Sequence, residues 1–175
     1  MFIWFLFGVL CCIIALLIFA WFKMVALSKN VQNTYQQLDA SSKNRAGLID
    51  SLVAAVVSLP DMSSEVLVAL KDLKECPEDW DERVEREDQI TRKFKAVFTT
   101  LQDHPEMLLD AAFEKLQKSI IQAEGSYRKN KNKYNNAVHS FYVFGDLIPF
   151  NWVRSAAEME SPKYFLAKDG ISSAE

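Results

Sequence analysis

The sequence predicts an all-α protein: an N-terminal transmembrane helix continuing into an elongated antiparallel helical bundle of three to four helices. Three observations predict it. The run from Phe2 to Phe22 carries no charged side chain and is overwhelmingly apolar on every face. The sequence after Lys23 is polar and charged, with apolar residues spaced as a buried helix face requires. No stretch of useful length alternates apolar and polar residues as a half-buried strand does. The chain divides accordingly into an anchor (2–22), a helical bundle domain (23–160) and a C-terminal tail (161–175).

As a helix, Phe2–Phe22 rises about 31 Å, enough to cross a bilayer. A cleaved signal peptide fits less well, because no basic side chain precedes the run and no Ala-x-Ala follows it. Leu10 before Cys11 is also a poor lipoprotein site. Trp4 and Trp21 stand near the two ends, where interfacial aromatics belong. Lys23, Lys29, Lys43 and Arg45 follow the run and no Lys or Arg precedes it, which favours a short outer N-terminus and a cytoplasmic main domain. Gly8 and Cys12, four apart, offer a close-approach face for a second helix. Ordinary lipid-facing sequence is the simpler account of them.

Composition narrows the function. Beyond the anchor lie about 150 residues, one domain's worth. Five glycines and five prolines suit long helices with little loop. A net charge of −3 gives no reason to expect nucleic-acid binding. Of three cysteines, Cys11 and Cys12 lie in the anchor and Cys76 is alone in the domain, so no disulfide framework is available.

The first helix is expected to run on from Lys23 to Leu59. Leu27, Val31, Leu38, Leu48, Leu52 and Leu59 form its stripe, weakened only by Gly47. Ser41, Ser42 and Arg45 interrupt that stripe, so either the buried seam thins there or a partner completes it. Pro60-Asp61 ends the helix, and Asp61, Ser63 and Ser64 are cap candidates for a short helix to about Glu75. Cys76-Pro77 opens a third helix, with acidic residues in its first turn and Val84, Ile90, Phe94, Val97, Phe98 and Leu101 on one side. It runs to about Gln102, before His104-Pro105. The fourth helix carries the most regular seam, from Phe113, Leu116, Ile120, Ala123 and Tyr127 through Asn130, Tyr134, Ala137, Phe141 and Phe144. Every step is 3 or 4, a sustained heptad pattern in which Asn130 is a register-setting polar exception. Gly145 and Pro149 end it. One more short helix fits 150–160, and little order is expected beyond Pro162.

Outside the anchor, helix one rises about 54 Å and helix four about 58 Å, lengths that suit antiparallel packing. Helix four then descends toward the bilayer. Its end brings Phe141, Tyr142, Phe144, Phe150 and Trp152, with Leu147 and Ile148, to the membrane surface as a candidate second contact. The competing reading is that these residues cap the bundle core.

Other clusters read as ordinary helix surface. Arg128, Lys129, Lys131 and Lys133 lie about 17–24 Å above the end of helix four, well beyond a Debye length of about 8 Å. His104 and His139 are too far apart in sequence for a metal motif, and the acidic residues around Trp80 lack the glycine of an EF-hand loop. No phosphate loop, nucleophile elbow or dinucleotide fingerprint is present, and Cys76 has no base beside it. No catalytic, metal or cofactor residues are assigned.

Two stretches carry a family resemblance. The first is Leu27-Ser28-Lys29-Asn30-Val31, Tyr35-Gln36-Gln37-Leu38-Asp39, Arg45, Leu48-Ile49 and Leu52-Val53. The second is Phe113-Glu114-Lys115-Leu116-Gln117, Glu124, Tyr134-Asn135-Asn136-Ala137-Val138, Phe141-Tyr142 and Pro149. Together they resemble the LemA family of bacterial membrane proteins, as a divergent member. The family usually has Trp at Tyr35, an acidic residue at Gly47, Pro at Asp50 and Asn at Tyr142. The resemblance implies a membrane-anchored helical bundle in the bacterial envelope and supplies no catalytic residues. The expected function is a non-enzymatic scaffold or adaptor, with Ser41, Ser42 and Arg45 on its partner surface. The alternative is a lipid-binding or membrane-remodelling protein acting through the aromatic C-terminal region. Expected partners are the lipid bilayer, an unidentified membrane or envelope protein and a second copy of the chain, but not nucleic acid.

Overall fold

A computed structural model of the chain describes residues 2–57, 68, 71–72, 76–101 and 111–166. All regular structure among the described residues is helical. Helix α1 is Phe2–Gly47, 46 residues without a break, so it rises about 69 Å. Nothing disturbs it at Lys23: the helical hydrogen bonding passes from the apolar run straight into the polar sequence.

The helix expected to reach Leu59 is interrupted once. Leu48 is a turn, its N–H bonded to the Arg45 carbonyl at 3.1 Å, a tighter spacing than the α-helical one. Gly47, the weakest helix former in the segment, ends α1 there. Helix α2, Ile49–Val56, resumes at once. Leu59 and the break at Pro60-Asp61 lie outside the described residues. Of the short helix expected over 61–75, only Val68, Lys71 and Asp72 are described, and they are helical and exposed.

Helix α3, Trp80–Leu101, starts three residues after Pro77 rather than on it. Asp79 decides the start. Its carboxylate accepts from the backbone N–H groups of Asp81 (2.9 Å) and Glu82 (3.1 Å), and its carbonyl accepts from Arg83 N–H. These bonds satisfy donors that the first turn would otherwise leave orphaned. Gln102, His104-Pro105 and Glu106 lie outside the described residues. Helix α4, Ala111–Gly145, contains the whole expected seam, and each of the ten seam residues is buried or half-buried. Helix α5 is Phe150–Ala156.

The chain packs as two compact units. The first comprises Met1–Gln37 and Asn132–Tyr164, and the second Leu38–Lys131 and Phe165–Glu175. In the first unit α1 and α4 run antiparallel, and Ala20, Met24 and Leu27 form a core with Phe141 and Val153. A Cβ at Gly145 would stand 3.1 Å from Arg154 Nη1, so the arginine side chain would have to give by a few tenths of an ångström to admit one. In the second unit Ala46, Ile49, Leu52 and Val53 pack with Ile90, Phe94 and Val97 of α3 and with Phe113 and Ile120 of α4.

The segment after Pro162, expected to lack order, is held by specific contacts as far as it is described. In the first unit Tyr134 Oη donates to the Lys163 carbonyl (2.7 Å) and Tyr142 Oη to that of Pro162 (2.9 Å), while Tyr164 stacks on Tyr142. In the second unit Phe165 is buried edge-on against Trp80, with the Lys131 ammonium 6.0 Å from its ring. Tyrosine hydroxyls reaching backbone carbonyls fix this segment without any regular structure of its own. Residues 167–175 lie outside the described residues.

Candidate functional site

The polar interruption of the α1 stripe is covered from within the chain. Ser41, Ser42 and Arg45 are all buried, and Arg45 is 0% exposed. The partner surface expected at these residues is therefore occupied by α3 and α4. A buried guanidinium survives only if its charge and donors are met. Arg45 Nη2 donates to both the Glu87 carboxylate and the Glu87 carbonyl, the latter at 2.7 Å. Nη1 donates to Thr91 Oγ1 (2.7 Å) and Glu124 Oε1 (2.8 Å). The guanidinium carbon stands 3.8 Å from the centre of the Tyr127 ring, a cation–π contact in a dry setting. Glu87 is met in turn by Ser42 Oγ (2.6 Å) and by Arg86. Two guanidinium groups thus face two carboxylates, and the cluster ties α1, α3 and α4 of the second unit together. Among the described residues, Arg45 Nε and the Tyr127 hydroxyl have no hydrogen-bond partner.

Glu87 escapes a reading that groups it with the acidic start of its helix. Its signal was periodic: Val84, Glu87, Ile90, Phe94 and Val97 step by 3 and 4, and all five are buried. An acid in phase with an apolar face asks for a buried base, and Arg45 is in phase with the stripe of α1. Near the Arg45 end, Asp39 accepts from Lys43 (2.8 Å) and from Arg83. Partial burial pushes the Asp39 carboxyl up, but these two hydrogen bonds outweigh it and hold its pKa below the usual value.

The two stretches that carry the family resemblance meet face to face. In the second unit Arg45 of the first stretch pairs with Glu124 of the second. In the first unit Tyr35 lies 5.9 Å, ring to ring, from Tyr134. Two of the departures from the family pattern, Tyr35 and Tyr142, are thus members of tyrosine pairs. Burial pushes the Tyr134 phenol up to about 12, with help from Tyr35 and Tyr142. Burial, then the Glu87 carboxylate, pushes Tyr127 up as well. An unfolded tyrosine ionises near pH 10, so above that pH the unfolded state loses its protons first. The stability these phenols lend is fully present below about pH 10 and is lost as pH rises toward 12. Urea midpoints of the full chain in detergent micelles, taken across this window, are expected to fall. Tyr134→Phe should flatten the fall.

The expected membrane-contact residues separate into two groups. Phe141 is buried in the core of the first unit, and Tyr142 is committed to Pro162 and Tyr164. Neither is available to lipid. Phe144 and Phe150 are half-buried and meet edge to face at 6.0 Å. Trp152 is 61% exposed, as are the flanking Leu147 (52%) and Ile148 (69%). Phe150 also meets Phe19 at 6.4 Å, and Lys23 lies 5.0 Å from the centre of the Phe144 ring. The end of α4 and the start of α5 therefore flank the last turn of the apolar run. From Phe2 to Phe19 every residue is exposed. Ala20 is the first buried one.

An N-terminal helix long and apolar enough to cross a membrane, continuing into a bundle of long antiparallel helices, defines the class: an all-α protein built on an anchor-like helix. Within that class the LemA family model matches residues 34–174, most of the chain, and the chain belongs to the LemA family. No individually curated protein gives a significant match.

Proposed function

We propose that this LemA-family protein is a membrane-anchored, non-enzymatic scaffold or adaptor of the bacterial envelope. One observation carries the reading. The helix that would span the bilayer is the same unbroken helix that supplies the first element of the bundle. Such an anchor is joined to the first unit without a flexible tether, a useful property for positioning a partner and a needless one for a freely diffusing catalyst. The carboxylate of Glu87 and both terminal nitrogens of Arg45 are spent on partners inside the second unit, which suits a structural latch.

A surface open to an envelope partner in the second unit is the outward side of α4, where Arg128 and Lys129 are exposed. Photocrosslinkers placed at Arg128 and Lys129 in native membranes are expected to give discrete adducts, with another envelope protein or with a second copy. Absence of any adduct would overturn the scaffold reading. The basic residues that follow the apolar run, Lys23 and Lys29 first, support a cytoplasmic domain in this reading. Cys76 is exposed and serves as the reporter. An impermeant thiol reagent should leave Cys76 unlabelled in intact cells and label it after lysis; labelling in intact cells would reverse the orientation.

A further inference from the structure

We propose that Leu147, Ile148 and Trp152 insert into the headgroup–acyl boundary of the leaflet in which the apolar helix ends. The turn between α4 and α5 then becomes a second, shallow membrane contact beside the span. The inference rests on the anchoring proposed above and adds a lipid-binding surface to it.

Three large apolar side chains exposed within a few residues of one another are costly in water and need an occupant. The first unit shows which. Phe150 lies between these residues in sequence and packs ring to ring on Phe19. Phe19 precedes the end of the apolar run at Phe22 by about one helical turn, roughly 4.5 Å. If the run fills the hydrocarbon core, Phe150 is level with the edge of that core. Leu147, Ile148 and Trp152 then stand at the depth where amphipathic elements seat, about 5–10 Å into the boundary. Trp152 is also the side chain best suited to this layer, with an apolar ring system and one N–H for the wet side.

The charges nearby agree with a surface of lipid rather than protein core. Lys23 follows the run and lies over the Phe144 ring. Arg154 pairs with the exposed Asp146 at 3.1 Å, so the only acid of the turn is already neutralised. The positive charge of Lys23 at this level favours anionic headgroups. With the run in a bilayer, a protein occupant would have to reach the same residues through the boundary layer, beside the exposed Phe19 and Phe22.

The test uses the full chain in vesicles of phosphatidylcholine and phosphatidylglycerol. Trp4→Phe, Trp21→Phe and Trp80→Phe leave Trp152 as the sole indole, and nitroxide lipids labelled near the headgroup or near the chain end serve as quenchers. Blue-shifted Trp152 emission is expected, with a greater loss of fluorescence to the shallow label than to the deep one. Quenching by aqueous iodide with none from lipid would overturn the proposal. Shielding from both quenchers would also overturn it and would assign the turn to a contact between copies. A companion variant that keeps Trp21 alone reports the anchor. Lipid quenching of Trp21 without that of Trp152 would sink this inference and leave the anchoring intact. Should the triple tryptophan variant fold poorly, Ile148→Cys in a Cys11→Ala, Cys12→Ala, Cys76→Ser background carries an environment-sensitive dye to the same depth, with the same two readings.

Discussion

Replacing Glu87 by alanine is expected to be the most destabilising single change in the bundle, at about 3–5 kcal/mol. The carboxylate is 0% exposed and is shared by Arg45, Arg86 and Ser42. Removing it strands the buried Arg45 charge with Glu124 as its remaining ion-pair partner and leaves Ser42 without its acceptor. The cost arises from what is left behind more than from the bond that is lost. Glu87→Gln keeps the shape and an acceptor for Ser42, so a smaller loss is expected. Replacing Arg45 and Glu87 together by leucine removes both desolvated charges and should recover much of the loss, because a buried ion pair is often no better than apolar packing of similar volume. Thermal unfolding of the full chain in detergent micelles, followed by far-UV circular dichroism, gives the comparison. For a chain of this size the single variant should melt about 10 °C lower. A Glu87→Ala protein that melts with the parent would show that the cluster contributes nothing to the fold.

The second large effect is on the proposed anchor. Leu10 and Ile14 sit in the middle of the apolar run, one turn apart, and both are exposed. Arginine at either is expected to cost about 2.5–3.5 kcal/mol at the centre of a bilayer, and the two together about twice that. The Leu10→Arg, Ile14→Arg variant should move from the carbonate-resistant membrane pellet to the supernatant or be lost to proteolysis. Leu10→Ala, Ile14→Ala should stay in the pellet. Retention of the diarginine variant in the pellet would mean that the run is not what holds the protein to the membrane. The two experiments separate cleanly, since Glu87 belongs to the second unit and the run to the first.

Particular residues show why some of this was legible in advance and some was not. The seam of α4 was readable because each member, from Phe113 to Phe144, obeys one helical period, and a period is a property of one segment alone. The long α1 was readable from the length of its apolar run and from the stripe that follows Lys23, apart from the turn at Leu48, where a single glycine decides between continuing and breaking. Asp79 was hidden among other acids, any of which offers a cap; which carboxylate captures the first-turn N–H groups depends on backbone geometry. Little order was expected beyond Pro162, yet hydroxyls of Tyr134 and Tyr142 hold the backbone there and Phe165 is buried. Those partners are distant in sequence.

The sequence by itself determined the class of the protein: the apolar run, the helical periods and the two family stretches are local patterns that do not depend on what they pack against. Tertiary structure alone decided the meaning of the polar residues on those patterns. Ser41, Ser42 and Arg45 could be read as a gap for a partner until Glu87 and Glu124 arrived from other helices to fill it. Phe141 and Trp152 look alike as C-terminal aromatics, but one is core and the other is exposed. Burial and pairing are sums over neighbours brought together by folding, and no single segment carries them.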